Sequence, residues 1–310
     1  MKKKTVLITG GTGLLGTHLI LNKPDDFNIV ATVHLFNKVV DAADVAYEKL
    51  DIKNRQDVTS LIDKYQPAVI IHTAAHGRVD FCEDNRQEAY ATNYQGTVNI
   101  VDALKKYQGK IIFCSTNMTY DGLSPLYDEK SAQLPETYYG QLKVDAENYI
   151  KESGINFTIV RLMTMYGWNW QPERKNMVSM LIGKLKEKGK LWMTNDVYNN
   201  MLYAKEAAQF FWDACLNPTK SDKNIFNIAG LKCLNRFQVT QEACEVFNLD
   251  KELVAEVTSA YFSGQETPRS PNTCFKTDKA NRELDFKPIS IQEGLDHMKN
   301  NPLPERTRII

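Results

Sequence analysis

Thr5-Val6-Leu7-Ile8-Thr9-Gly10-Gly11-Thr12-Gly13-Leu14-Leu15-Gly16 decides the fold class: a β-branched run, a glycine-rich turn and an apolar helical pattern through Ile20 follow without a break. Glycines 11, 13 and 16 fit G-x-G-x-x-G, and glycines 10, 13 and 16 fit the wider G-x-x-G-x-x-G. Either spacing lets the backbone turn sharply, approach a pyrophosphate and seat it on a helix N-terminus. A glycine-rich turn can be a plain tight loop, but between a strand and a helix it points to a dinucleotide. Gly10, Gly13, Leu14, Leu15 and Gly16 are therefore candidate cofactor contacts.

The next strand, Asn28 to Val33, ends in His34-Leu35-Phe36-Asn37-Lys38, where an NAD-selective site carries an Asp or Glu for the ribose 2′-hydroxyl. No carboxylate stands in that stretch, and His34 or Lys38 can approach a 2′-phosphate, so NADP is expected over NAD, with NAD left open. A strand at Ala46 to Leu50 leads to Asp51-Ile52, read as bordering the adenine. Ala68 to His72 is a near-continuous apolar run of the buried parallel kind. Thr73-Ala74-Ala75 after it suits a cleft floor, or equally strand–helix packing. Lys110 to Cys114 ends in Ser115-Thr116-Asn117, and ligands of an open parallel sheet bind beyond the carboxyl ends of its strands, so this hydroxyl pair is expected to face the cleft.

Tyr139-Gly140-Gln141-Leu142-Lys143 opens a run to Glu152 with apolar positions at Leu142, Ala146, Tyr149 and Ile150, which predicts a helix with phenol and ammonium on one face. A lysine charge beside the phenol is expected to pull its pKa from ~10 by about two units, ~2.7 kcal/mol of charge interaction, making a proton donor usable near neutral pH. Thr116 is the expected partner of Tyr139, and the alternative is a surface Tyr and Lys that are neighbours by chance.

Thr9 to Gly16, Thr73-Ala74-Ala75, Asn93 in Asn93-Tyr94-Gln95-Gly96-Thr97, Ser115-Thr116, Tyr139 to Lys143, and Arg161 with Tyr166-Gly167 resemble the extended short-chain dehydrogenase/reductases that act on nucleotide sugars. His76 to Glu83, Tyr120-Asp121-Gly122, Lys143 to Glu147 and Arg269-Ser270-Pro271-Asn272 look most like the dTDP-4-dehydrorhamnose reductase branch, which also contains the regulatory β subunit of methionine adenosyltransferase. The resemblance implies Thr116, Tyr139 and Lys143 as a catalytic triad for hydride transfer, with Asn93, Tyr139 and Lys143 also at the cofactor. The chain departs from the branch on the substrate side. Asn117-Met118-Thr119-Tyr120 replaces Ser-Thr-Asp and its sequel, Thr164 stands three residues after Arg161 where a Trp is usual, and a Pro-Thr is replaced near Asn200-Met201-Leu202. Dehydration is not expected, because Asn117 and Met118 cannot titrate as its extra acid/base pair. The function implied is reduction of a nucleotide-linked 4-keto-6-deoxy sugar. A 4-epimerase of the same superfamily and a non-catalytic NADP-binding regulatory subunit remain alternatives.

The fold expected is α/β: a Rossmann-type doubly wound parallel sheet over 1–165, then a smaller C-terminal substrate-binding lobe over 166–310, with elements around 195–215 returning to the first body. In the second part we expect a strand at Phe157 to Leu162, an irregular loop at 167–174, a helix at Met177 to Lys188, a strand at Asn224 to Ile228, a helix at Gln238 to Phe247, a flexible stretch at 263–273 and a last helix near Ile291 to Lys299. Candidate substrate residues are Thr116, Asn117, Thr164, Trp168 and Arg269; Trp168 and Trp170 either stack on a base or sugar or pack the lobe, and the planar fork of Arg269 suits a diphosphate.

The 310 residues are 43% hydrophobic and 25% charged, enough for a sizeable core, and 38 basic residues balance 38 acidic ones, so no broad attraction to nucleic acid or a membrane is expected. Cysteines 82, 114, 215, 233, 244 and 274 contain no C-x-x-C and read as reduced thiols of a cytoplasmic protein, with no metal site. The apolar run after Lys2-Lys3-Lys4 is broken by the glycine turn and reads as neither leader nor membrane span. The resemblance allows a homodimer.

Overall fold

The computed structural model describes residues 3–35, 38–171, 175–264, 267, 269–303 and 307–309, with the side chains of 38 and 307–309 outside the description. Seven parallel strands form the central sheet: β1 (Lys4–Thr9), β2 (Phe27–Val33), β3 (Val45–Lys49), β4 (Val69–His72), β5 (Lys110–Thr116), β6 (Asn156–Leu162) and β7 (Asn224–Ile228). Their order across the sheet is β7-β6-β5-β4-β1-β2-β3. The order reverses between β1 and β4, which places the crevice of a doubly wound fold at their carboxyl ends.

Alternation along the strands explains why they read as continuous apolar runs. Val6 and Ile8 of β1 face one core with Leu15, Leu19 and Trp212, while Leu7 between them faces a second core with Ile62, Leu104 and Ile150. The first face is covered by α1 (Leu14–Leu21), the second by α2 (Arg55–Tyr65), α3 (Gly96–Lys105) and α4 (Tyr138–Glu152). Strands with both faces buried have no polar side to display. The expected elements form within one or two residues of their expected ends; the strand expected at Lys110 to Cys114 runs on to Thr116, and the helix expected from Gln238 starts at Arg236.

A third core lies outside the sheet, where Leu181, Leu185, Val239, Cys244, Leu295 and Met298 pack together. They come from α5 (Met177–Lys186), α7 (Arg236–Phe247) and α8 (Ile291–Asn300). Between α5 and α7 the chain goes back to the sheet. The helix α6 (Ala204–Leu216) lies against α1, with Trp212 Nε1 donating to Leu19 O at 3.1 Å, and β7 then completes the sheet edge. No helix among the described residues is long and apolar enough to cross a membrane.

Glu206 of α6 is turned inward beside Tyr166 and Tyr203; one oxygen accepts Ile289 N–H at 3.0 Å and the other has no partner among the described residues. Burial pushes its carboxyl up to about 7. A raised carboxyl stabilises the fold fully below its unfolded value, and that contribution fades as pH rises to about 7, a loss of about 3 kcal/mol. Glu206→Gln should therefore flatten the fall in denaturant midpoint between pH 5 and pH 8. An unchanged slope would locate the effect elsewhere.

Candidate active site

The site is built at the carboxyl edge of the sheet, beginning with the turn after β1. Gly10 has φ +75°, and a Cβ there would lie 2.9 Å from Ala74 N, so only glycine lets the turn pass against the end of β4. A Cβ at Gly16 would lie 2.2 Å from Gly10 O, which is how α1 can start directly beneath the turn. Gly13 is the N-cap of α1 and supplies no side-chain cap, so the first-turn N–H groups and the positive helix end are left for an anion. Leu15 is a core residue whose side chain cannot reach a ligand; Leu14 is partly exposed. The sequence did not distinguish backbone from side-chain roles here.

At the adenine-ribose end the structure corrects one premise. The stretch after β2 contains no acid, yet Asp51 arrives from the end of β3 and its carboxylate stands 3.5 Å from His34 Nε2 and 3.7 Å from Lys53 Nζ. Asp51 was read as bordering the adenine; pairing of the neighbouring strands also brings it beside His34, which the linear order did not show. Lys38 joins a short strand, Lys38–Val40, but its side chain lies outside the described residues. The Ile52 side chain belongs to the core against α3, leaving only its backbone for a nucleotide. Thr73 and Ala74 close onto β1: Thr73 Oγ1 donates to Thr9 O at 2.7 Å, and both N–H groups reach Thr9 Oγ1, while Ala75 is partly exposed beside them. Asn93 is buried, and its amide clasps the backbone of His76 at 2.8 and 3.0 Å. It shapes the cleft wall from behind rather than facing the cleft. A buried Thr9–His72–Thr97 chain, unread in the sequence, joins the strand ends to the helix beside Asn93, with burial holding the imidazole neutral, down to about 3.

Thr116, Tyr139 and Lys143 are brought together at the end of β5. The Thr116 hydroxyl engages the phenol, but burial outweighs it and pushes the Tyr139 pKa above its ordinary value. This reverses the expected lowering. Lys143 is only 3% exposed, donates to Cys114 O at 2.8 Å and lies 4.6 Å over the Phe113 ring and 6.0 Å over the Tyr139 ring, so its hydrogen bond goes to the strand end. Burial lowers the lysine pKa as well. The four-residue spacing put both groups on one helix face, but the side-chain rotamers separate the charges.

The helix is held close by Gly140. A Cβ there would lie 2.1 Å from Met118 O, so α4 leans directly on the turn that follows Thr116. Gly140→Ala should shift helix against turn by about 1 Å and lower turnover by tenfold to about a hundredfold, with a lower melting temperature. Wild-type turnover in this variant would show that the Thr116–Tyr139 spacing is not critical. Behind the site, Glu147 of α4 accepts from Arg161 of β6 at 2.7 Å and from Ser115 of β5, a buried ion pair that ties the three elements together.

A cavity of about 420 Å³ opens from Thr116 and Tyr139 and is walled by Met118, Met163, Thr164, Met165, Val197 and Arg269 among others. Thr164 is exposed within it. Asn117 is buried and donates to Thr273 Oγ1 at 2.7 Å, so it anchors the segment that crosses the cavity. That segment is fixed from 269 onward and not flexible, while 265, 266 and 268 lie outside the description. Arg269 is paired with Asp80 at 2.8 Å rather than free; partial burial works against the Asp80 charge, but Arg269 and Thr267 bring its carboxyl down to about 2. Trp168 packs the lobe: Nε1 donates to Met298 O at 2.7 Å and the ring meets Phe247 edge-on, away from any base. Cys233 and Cys274 form a disulfide, correcting the expectation of six reduced thiols; fold contacts join positions 41 residues apart that no local motif connects. The contacts of Asp80, Asn199 and Thr273 were missed at the sequence level, since a polar pairing between distant elements carries no periodic signal.

The profile of the RmlD substrate binding domain matches residues 4–302. The chain belongs to that family. The resemblance read from the motifs therefore holds along the chain. Among relatives, the methionine adenosyltransferase 2 subunit beta of Xenopus laevis is 25% identical over 284 residues, covering 89% of this chain and 82% of its own. The dTDP-4-dehydrorhamnose reductase of Aggregatibacter actinomycetemcomitans is 24% identical over 303 residues, covering 95% and 98%. The solved dTDP-4-dehydrorhamnose reductase of Bacillus anthracis in complex with NADP superposes with a TM-score of 0.84 at 24% identity, over 96% of this chain and 99% of that one, a likeness of fold.

Proposed function

We propose that this family member is an NADP(H)-dependent reductase of a nucleotide-linked 4-keto-6-deoxy sugar. The observation that supports the reading most is that Thr116 and Tyr139 line one cavity, with Lys143 buried behind them on Cys114 O, at the same sheet edge as the glycine turn. The turn fits a dinucleotide: beside Gly13 a Cβ meets only Gly10 O, at 3.3 Å, so the approach is open where a phosphate would lie. The α1 N-terminus would hold the pyrophosphate, His34 a 2′-phosphate, Thr73 to Ala75 the inner wall and Lys143 the nicotinamide ribose. Asp51 has Lys53 at 3.7 Å and His34 at 3.5 Å beside it, which leaves cationic and hydrogen-bonding groups at the place where a 2′-phosphate would lie. When bound, the cofactor supplies the hydride. Tyr139 donates its phenolic proton to the ketone oxygen, and Thr116 hydrogen-bonds the same oxygen as charge develops. The apolar wall of Met118, Met163, Met165 and Val197 suits a sugar carrying a methyl group in place of a hydroxymethyl. In this reading 1–165, with the returning α6 and β7, is the cofactor body and the α5–α7–α8 core the substrate lobe.

The test is a screen of the purified protein with NADPH and NADH against dTDP-, UDP-, GDP- and CDP-4-keto-6-deoxy sugars, followed at the nicotinamide absorbance. Turnover on one of them, faster with NADPH, is expected. A second reading, a cofactor-binding regulatory subunit, is favoured by the engagement of Lys143 with Cys114 O and by the methionine adenosyltransferase relative. NADPH binding without turnover on any sugar, together with co-purification of a partner enzyme, would establish it instead.

A further inference from the structure

The segment 269–275 that crosses the cavity is fixed by contacts that a ligand does not exchange, and by one that it can. Pro271 O accepts Tyr198 N–H at 2.8 Å, Thr273 Oγ1 takes Asn117 and Asn199 at 2.7 and 3.1 Å, Asn200 clasps Phe275, and Cys274 is tied to Cys233. Arg269, at its start, is held among the described residues by its side chain, whose Nη1 donates to Thr267 O. Its Nη2 lies 2.8 Å from Asp80 Oδ2 of the helix Val79–Asp84, with the two side chains 19% and 36% exposed. The other Asp80 oxygen accepts Thr267 N–H at 2.9 Å. Both charges line the cavity that holds Thr116 and Tyr139. Because the rest of the segment is fixed from Pro271 onward, the guanidinium can turn from this carboxylate to a ligand without moving that part of the chain.

A diphosphate offers this guanidinium more charge and a better fork than one carboxylate does. We propose that Asp80 is a built-in competitor for Arg269: it holds the guanidinium at the cavity until the diphosphate of a nucleotide-linked substrate takes it, and so sets the affinity of the site for that group. The proposal rests on the nucleotide-sugar reading above. It makes Asp80 a specificity-determining residue, since a sugar without the diphosphate lacks the charge to displace it.

The test is calorimetric titration of the protein with dTDP, UDP, GDP and CDP. Asp80→Asn keeps an oxygen for Thr267 N–H and removes only the charge; it should bind the diphosphate that wild type prefers about three- to tenfold more tightly. Arg269→Gln should bind it about tenfold more weakly. The double variant should match Arg269→Gln, because nothing remains to compete for. Asp80→Ala, expected to change affinity in the same direction, covers the case of an Asn variant that does not fold. An unchanged or weaker affinity in a folded Asp80 variant overturns the competitor, as does a gain that persists in the double variant. Binding to wild type without that gain leaves the nucleotide-sugar reading standing, whereas no binding of any of the four overturns both.

Discussion

Tyr139→Phe should lower ketone reduction by roughly 10²–10⁴-fold while NADPH affinity changes little, because the ring and its packing remain and only the proton is lost. The phenol lies beside Thr116 in the cavity. Lys143→Met should weaken turnover and cofactor binding together, since it removes a buried cation next to the strand end. The pH behaviour is distinctive. Burial raises the phenol pKa, so the protonated donor persists through neutral and mildly alkaline solution, and reduction should not decline from loss of this proton below about pH 10. A rate that titrates away near pH 8 in wild type, but not in a variant with altered Tyr139 surroundings, would restore the lowered phenol that the Tyr–Lys spacing suggested. Wild-type turnover in Tyr139→Phe would make the triad vestigial and favour the regulatory-subunit reading.

Gly13→Val should weaken NADPH binding by more than about 10³-fold, some 4 kcal/mol, and leave the protein folded. The two halves of that expectation have separate origins. A Cβ at Gly13 meets only Gly10 O, at 3.3 Å, so the free protein tolerates it with a small adjustment, unlike Gly16, where the same atom would overlap Gly10 O at 2.2 Å. The added methyls instead occupy the space above the α1 N-terminus that a pyrophosphate needs. Calorimetry showing unchanged NADPH affinity in a folded variant would remove the dinucleotide site from this turn.

Elements whose identity is encoded locally were legible in the linear chain. Val6, Leu7 and Ile8 announce a strand buried on both faces, glycines 10 to 16 a turn that admits backbone and phosphate, and the Leu142, Ala146 and Ile150 period a helix that carries Tyr139 and Lys143 on one side. Each depends on propensity, periodicity or φ freedom within about a dozen residues, so no distant partner is needed to read it. The sequence by itself thus determined the doubly wound sheet and the order in which cofactor turn, Thr116 and Tyr139 reach its edge.

Tertiary structure alone decided how side chains at that edge are used. Whether Lys143 bonds Cys114 O depends on rotamers set by packing against Phe113, and the Tyr139 pKa depends on how far burial at the cavity keeps water from the phenol. Trp168 was drawn to Met298 and Phe247 by a lobe core that forms only when α7 and α8 meet. Asp51 against His34, Asp80 against Arg269 and Cys233 against Cys274 are pairs separated by 17, 189 and 41 positions. Charge and thiol pairing act over a few ångströms in space and leave no period along the chain, so only the folded arrangement could reveal which partner each residue has.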